Sequence, residues 1–349
     1  MNAHASSHRI AAGLPLLKDE PLLNAARLEL EGKLSAIDPS LDLEAEIQRL
    51  RKERNAVILA HYYQESEIQD LADFLGDSLQ LSQAAKKTTA DMIVFCGVHF
   101  MAETAKILNP DKVVVVPDLD ASCSLADGCK AGDLAAYKAA HPRHQIVSYI
   151  NCSAEVKALS DVIVTSSNAE KIVRALPTDR PILFAPDRNL GAFLAKKTGR
   201  EMDLWQGACL VHEQYSEKAI VQLKERWSKD GAVEVLAHPE CEGAVLRHAD
   251  YVGSTTALLG RAKQTEARTV IVATEPGILH QMKKARPDVN FLDAPSEDEA
   301  CACNNCPHMK RNTIEKLYLC LRDASPRIEL SAPLLEGARR PIERMLSMS

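Results

Sequence analysis

QIVSYINCSAEVKALSDVIVTSSNAEKIVRALPTDRPILFAPD (145–187) contains three short apolar runs, QIVSYIN, DVIVTSS and RPILFAPD, with helix-like stretches between them. Each run is rich in β-branched residues and is apolar at consecutive positions, the pattern of a strand covered on both faces. Such strands alternating with helices make a parallel sheet in an α/β protein. The pattern recurs on both sides. Upstream stand AVILAHYY (56–63), DMIVFCG (91–97) and KVVVVPD (112–118). Downstream stand VEVLAHPE (233–240), DYVGST (250–255) and TVIVATE (269–275).

The runs fall into three sets of three. The first runs align at His61, Tyr149 and His238, separated by 149 − 61 = 88 and 238 − 149 = 89 residues, with Tyr63, Asn151 and Glu240 two positions later. The spans Gly97–Asp118, Ser166–Asp187 and Ser254–Glu275 are each 21 residues. A period near 90 predicts three homologous small α/β domains with parallel sheets, in a pseudo-threefold arrangement around a central active site. The expected division is an N-terminal extension over 1–42, domains over 43–122, 123–208 and 209–306, and a helical tail over 307–349. Ligands of open parallel sheets bind beyond the carboxyl ends of strands, where His61, Tyr63, Tyr149, Asn151, His238 and Glu240 fall. On this alignment QESEIQDLADFLGDSLQLSQ (64–83) is an extra segment of the first domain, read as a lid that carries Ser78 with Gly76 as hinge.

Composition excludes several classes. A net charge of -6 argues against a nucleic-acid surface, and 4% aromatic residues argue against base-stacking platforms. No apolar run reaches the ~20 residues of a membrane helix, and MNAHASSHRIAAGLPLLKDE (1–20) has no long apolar core of a signal peptide. The expectation is a cytoplasmic protein. LDLEAEIQRLRKER (41–54) has acids early and bases late, as a helix prefers. No GxGxxG or Walker motif supports nucleotide binding.

Ten cysteines are many for a compartment that disfavours disulfides. Cys96 and Cys320 sit in apolar runs and read as small core residues. One cysteine follows the third run of each set: Cys123 in SCSLAD, Cys209 in GACLVH after an insertion, and Cys306 in CNNCP after a longer one. Three thiolates, one per unit, suit zinc or an iron–sulfur cluster. The Cys306–Pro307 pair also occurs at the end of ferredoxin cluster runs. A four-iron cluster on three cysteines leaves one iron open as a Lewis acid. An aconitase-like hydro-lyase, a non-catalytic iron–sulfur sensor and a structural zinc protein stay open on these residues alone.

From about residue 45 to 345 the chain resembles the quinolinate synthase family. The resemblance rests on AHYYQ, DFLGDSLQLSQ, CGVHFMAETAKIL, SCSLAD, YINCSAEVKA, TSSNA, FAPDRNLG, GACLVHE, AHPEC, GSTT, ATEPGILH and CNNCPHMKRN, in that order. It implies condensation of iminoaspartate with dihydroxyacetone phosphate to quinolinate, phosphate and water in NAD biosynthesis. It also implies a 4Fe-4S cluster on Cys123, Cys209 and Cys306, and an aspartate-oxidising enzyme as the supplier of iminoaspartate. Carried over by motif, His61 and Tyr63 form a substrate pair, and Tyr149 with Asn151 another. Ser78, Ser166, Ser254 and Thr255 contact phosphate or carboxylate groups. His238 and Glu240 form the H-P-E pair, and His212 is a further substrate contact. The catalytic set is Glu240, His238, Tyr149 and Tyr63. Some relatives carry CxxCxxC near the C-terminus; here Cys301, Cys303 and Cys306 form CxCxxC, which puts a role for Cys301 or Cys303 in doubt.

Overall fold

The chain folds, in a computed structural model described for residues 20–296 and 304–349, into helices and three four-stranded parallel sheets. Cys301 and Cys303 lie outside the described residues. The chain divides into two units. Met1–Leu41 contains the helix Glu20–Ser35; Asp42–Ser349 contains all the strands. Asp42 starts this second unit as an N-cap, accepting the amide of Ala45, with Glu44 and Glu46 in the first turn and Arg51 and Lys52 in the last turn of the helix Leu43–Glu53.

The first sheet holds β1 (Ala56–His61), β2 (Phe74–Gly76), β3 (Met92–Cys96) and β4 (Val113–Val115). The second holds β5 (Gln145–Tyr149), β6 (Val162–Val164), β7 (Ile182–Ala185) and β8 (Met202–Leu204). The third holds β9 (Val233–Ala237), β10 (Tyr251–Val252), β11 (Thr269–Ala273) and β12 (Asn290–Asp293). The orders are β2-β1-β3-β4, β6-β5-β7-β8 and β10-β9-β11-β12, one topology repeated three times. The central strands β3, β5 and β11 are buried at every position, which is why apolar residues dominate their sequences.

The strand pairing corrects the sequence alignment of the first unit. KVVVVPD forms the fourth strand of its sheet, not the third. The second strand is β2, inside the segment read as an extra lid-bearing loop. Three residues at a sheet edge, beginning with the exposed Phe74, give it little apolar signal. With β2 placed, 64–83 is an ordinary part of the repeat. It contributes the helix Ser66–Leu71, the counterpart of the helix Ala154–Leu159 in the second unit.

The pairing has one offset, 15 residues, in all three sheets: His61 faces Gly76, Tyr149 faces Val164, and Ala237 faces Val252. Ser78, Ser166 and Thr255 stand 17 residues after the aligned His61, Tyr149 and His238, and Ser78 and Thr255 each open a helix whose N-cap is Asp77 or Ser254 respectively. Thr255, and not Ser254, is the equivalent of the other two. The fourth strands β8 and β12 fill the stretches read as insertions before Cys209 and Cys306. Each of Cys123, Cys209 and Cys306 thus follows the fourth strand of its own sheet.

The helices Ile314–Asp323 and Ala332–Met348 pack back on the sheets. Leu317, Cys320 and Leu321 join the core with Ile47 and Leu50 against the first sheet, and Ala338, Ile342 and Met345 join the core of the second. Cys96 and Cys320 are both buried apolar residues there. Among the described residues, no helix is long and apolar enough to cross a membrane.

Candidate functional site

A single cavity opens at the carboxyl ends of all three sheets. It is lined by His61, Tyr63 and Ser78 from the first, Tyr149, Asn151 and Ser166 from the second, and His238, Glu240 and Thr255 from the third. His212 and the cysteines Cys123, Cys209 and Cys306 line it too. Of the sequence-predicted site residues, Ser254 alone does not. Its hydroxyl caps the helix Thr255–Gln264 by accepting the amide of Ala257, and lies 2.8 Å from Ser167 Oγ.

The strand ends share a local geometry. The amide of Tyr63 donates to His61 Nδ1 at 3.2 Å, and the amide of Glu240 lies 3.4 Å from His238 Nδ1. The repeat thus turns residue i toward residue i+2 and sends both into the cavity.

Glu240 occupies the centre, buried with both its imidazole neighbours. Its Oε2 lies 3.0 Å from His212 Nδ1 and 3.2 Å from His238 Nδ1, and the two rings stack at 4.9 Å. Burial alone raises a carboxyl pKa; the two imidazoles outweigh it and hold Glu240 well below the usual carboxylate range. Burial in turn lowers the pKa of His212, and pushes His61 down to about 4. The phenols of Tyr63 and Tyr149 are raised well above the ordinary value, mainly by burial and then by the Glu240 charge. At neutral pH the cavity holds an ionised carboxylate, a neutral His61 and two protonated phenols.

A hydrogen-bond line runs outward from Glu240. His212 Nε2 lies 3.0 Å from Thr274 Oγ1, which lies 2.6 Å from Tyr63 Oη, itself 3.0 Å from Thr255 Oγ1. An ionised Glu240 only accepts, so a neutral His212 that carries its proton on Nδ1, 3.0 Å from Glu240 Oε2, accepts at Nε2. Thr274 then donates to His212, Tyr63 to Thr274, and Thr255 to Tyr63. His238 Nε2 meets Ser166 Oγ at 3.2 Å. Among the described cavity-lining residues, three buried polar atoms make no hydrogen bond of good geometry to protein: Glu240 Oε1, Asn151 Oδ1 and His212 Nδ1, which meets Glu240 as an ion-pair contact only.

The thiols are equally particular. Cys123 and Cys209 are in adjoining loops stitched by Ser124, whose hydroxyl donates to the Ala208 carbonyl at 3.3 Å and accepts the Leu210 amide at 3.1 Å. Gly207 permits this loop to run close: a Cβ there collides with the Pro186 carbonyl oxygen. Burial raises all three thiols, Cys306 to about 11 and the others further, with the neighbouring thiols adding to the rise at Cys123 and Cys209. Backbone amides oppose it in the same way at each: those of Ala126 and Leu125 at Cys123, His212 at Cys209, and Met309 and His308 at Cys306. Three converging, half-buried thiols, each approached by amides two or three residues on, form a donor set that fits a cationic iron–sulfur group. The other described cysteines, Cys96, Cys129, Cys152, Cys241 and Cys320, are buried in the core and do not line the cavity. Cys209, His212 and Glu240 also bring ligand atoms within 4.8 Å of one another. That histidine's Nε2 already meets Thr274 Oγ1 at 3.0 Å, and its Nδ1 lies 3.0 Å from Glu240 Oε2.

Sequence reasoning missed Asp77, Ser124, Thr274, Glu275 and Met309. Asp77, Glu275 and Met309 line the cavity, Ser124 lines it and joins the thiol loops, and Thr274 completes the line to Tyr63. Thr274 and Glu275 end TVIVATE, and the strand-end rule applied to the third strand of each sheet identifies them.

Three parallel sheets, one shared cavity, a carboxylate between imidazoles and three thiols define an α/β enzyme with a composite active site. The family model described as quinolinate synthetase A protein matches residues 45–347. The quinolinate synthase of Thermosynechococcus vestitus is 60% identical over 309 residues, covering 88% of this chain and 96% of that one. The proteins of the same name from Microcystis aeruginosa and Chloroherpeton thalassium are 59% and 58% identical, covering 88% of this chain and 95% of each. The chain belongs to the quinolinate synthase family.

Proposed function

We propose that this chain condenses iminoaspartate with dihydroxyacetone phosphate to quinolinate, phosphate and water, in the cytoplasm, with a 4Fe-4S cluster on Cys123, Cys209 and Cys306. The observation that carries this reading is the convergence of those thiols, one from each repeat, on the cavity that contains Glu240. Free thiols at every described cysteine suit a reducing compartment. When bound, the cluster supplies an iron with an open position, a Lewis acid for a substrate oxygen.

The chain's own residues supply binding and proton transfer. Ser78, Ser166 and Thr255 offer hydroxyls at three equivalent strand-to-helix turns, suited to phosphate and carboxylate groups. Asn151 and Tyr149 present polar groups from the second sheet and orient the condensing carbon skeleton. Glu240, ionised and held by two histidines, takes protons as a general base, with His238 its partner. Tyr63 relays a proton along the line that runs through Thr274 and His212 toward Glu240. Iminoaspartate is supplied by an enzyme that oxidises aspartate.

The test is anaerobic reconstitution with iron and sulfide, then assay of quinolinate from oxaloacetate, ammonia and dihydroxyacetone phosphate. A fully loaded protein that makes no quinolinate defeats the substrate assignment. Turnover of a single hydroxy acid without any triose phosphate points instead to a hydro-lyase.

A further inference from the structure

We propose that Glu275 and Lys310 are a positioning pair that holds Cys306 in the thiol triad; this deepens the cluster reading above and rests on it. Cys123 and Cys209 steady one another through Ser124, but Cys306 has no share in that stitch. It lies 13 residues beyond β12 (306 − 293 = 13), so the sheet alone does not fix it. Asn304 ties its approach to the sheet, donating to Asp293 Oδ2 at 3.1 Å and to the Ala294 carbonyl at 2.7 Å. On the cysteine itself the carbonyl accepts the Lys310 amide at 3.1 Å, and the tether from the sheet is Glu275.

Glu275 is 1% exposed and stands at the end of β11. Its Oε1 accepts the Cys306 amide at 3.3 Å and meets Lys310 Nζ at 3.2 Å, while its Oε2 accepts the Gly277 amide at 2.7 Å. Lys310 Nζ donates as well to the Tyr63 carbonyl at 3.0 Å. One carboxylate and one ammonium thus join the third repeat, the Cys306 loop and the strand end that carries Tyr63. Gly277 makes the approach possible, since a Cβ there meets the Tyr62 carbonyl oxygen and the Tyr63 carbonyl carbon at 2.9 Å. Gln69 reinforces the junction, donating to the carbonyls of Tyr62 and Gly277 at 2.9 Å each.

The residue types follow from the load. Three donors converge on one side chain, and only a carboxylate offers two oxygens that both accept. Its negative charge, placed beside thiolates, is tolerable only with a cation in contact, which Lys310 provides. Outer groups of this kind set ligand orientation, and their loss costs about 10–100-fold in metal affinity.

The experiment compares wild type, Glu275→Gln, Lys310→Met and Lys310→Arg after anaerobic reconstitution. It measures iron and sulfide content, the rate of iron release to a ferrous chelator under argon, and the melting temperature of each cluster-free protein. Glu275→Gln and Lys310→Met release iron about 10–100-fold faster than wild type, and Lys310→Arg recovers most of the retention. The cluster-free melting temperature of Lys310→Arg matches that of wild type, which separates positioning from folding. Wild-type release rates in both Glu275→Gln and Lys310→Met overturn the proposal. A wild type that takes up no iron or sulfide instead refutes the cluster reading on which it rests.

Discussion

Glu240 Oε2 lies 3.0 Å from His212 Nδ1, with both side chains shut off from solvent. The charge on Glu240 gives every hydrogen bond from Thr255 through Tyr63 and Thr274 to His212 a single direction. Glu240→Gln keeps the size but puts an N–H donor where acceptors are required. We expect turnover to fall ~10²–10⁴-fold, the loss typical of a general base, while iron and sulfide content stays at the wild-type level. Quinolinate formation near the wild-type rate in that variant removes Glu240 from the proton chemistry.

His61 gives a pH test of the buried cavity. Its folded pKa, near 4, lies below the ordinary 6.5, so the unfolded chain binds more protons between those values. The contribution to stability is complete above about pH 6.5 and is lost as pH falls toward 4. For a shift of this size the contribution is on the order of 3 kcal/mol. His61→Gln should flatten the fall in melting temperature of the cluster-free protein across that window. An unchanged slope shows that His61 is not buried as a neutral ring.

Much of this was legible in the sequence, and the failures have physical causes. Buried central strands such as β3, β5 and β11 announce themselves because both faces demand apolar residues. The edge strand β2 has one exposed aromatic and three residues, so periodicity cannot find it, and its absence shifted the first repeat by one element. The strand-end histidines and tyrosines were readable because chain order places them. Glu275 and Thr274 depend on contacts with residues from other segments of the chain, Lys310 and Cys306 in one case and His212 and Tyr63 in the other. No spacing within one segment encodes such a contact.

The thiols separate competing metal sites. Replacing Cys123, Cys209 or Cys306 singly with Ser should abolish stable iron and sulfide after anaerobic reconstitution. Cys129→Ala and Cys152→Ala, altered in the core, should retain both. A protein that binds one zinc through Cys209, His212 and Glu240 behaves differently: it loses metal in Cys209→Ser yet keeps it in Cys123→Ser and Cys306→Ser, with no acid-labile sulfide in any. Loss of the cluster in Cys301→Ser and Cys303→Ser, with retention in Cys123→Ser and Cys209→Ser, moves the site to the CxCxxC segment.

Ser254 and Thr255 are adjacent, yet the helix start gives them different tasks. Ser254 Oγ accepts the Ala257 amide and caps a helix, whereas Thr255 Oγ1 faces the cavity beside Tyr63 Oη. Thr255 also occupies the place in the third repeat that Ser78 and Ser166 hold in the others. Ser254→Ala should cost about 1 kcal/mol of stability, as a lost cap does, with Michaelis constants within about twofold of wild type, a change worth under 0.5 kcal/mol. Thr255→Val keeps the shape but removes the hydroxyl. A hydrogen bond to a charged group contributes about 1.5–3 kcal/mol, so the Michaelis constant for at least one acidic substrate should rise about 10–100-fold. Thr255→Ser restores the hydroxyl and should restore affinity. The reverse pattern, with Ser254→Ala weakening substrate binding and Thr255→Val leaving it intact, shows that the hydroxyl serving substrate in the third repeat is that of the N-cap Ser254.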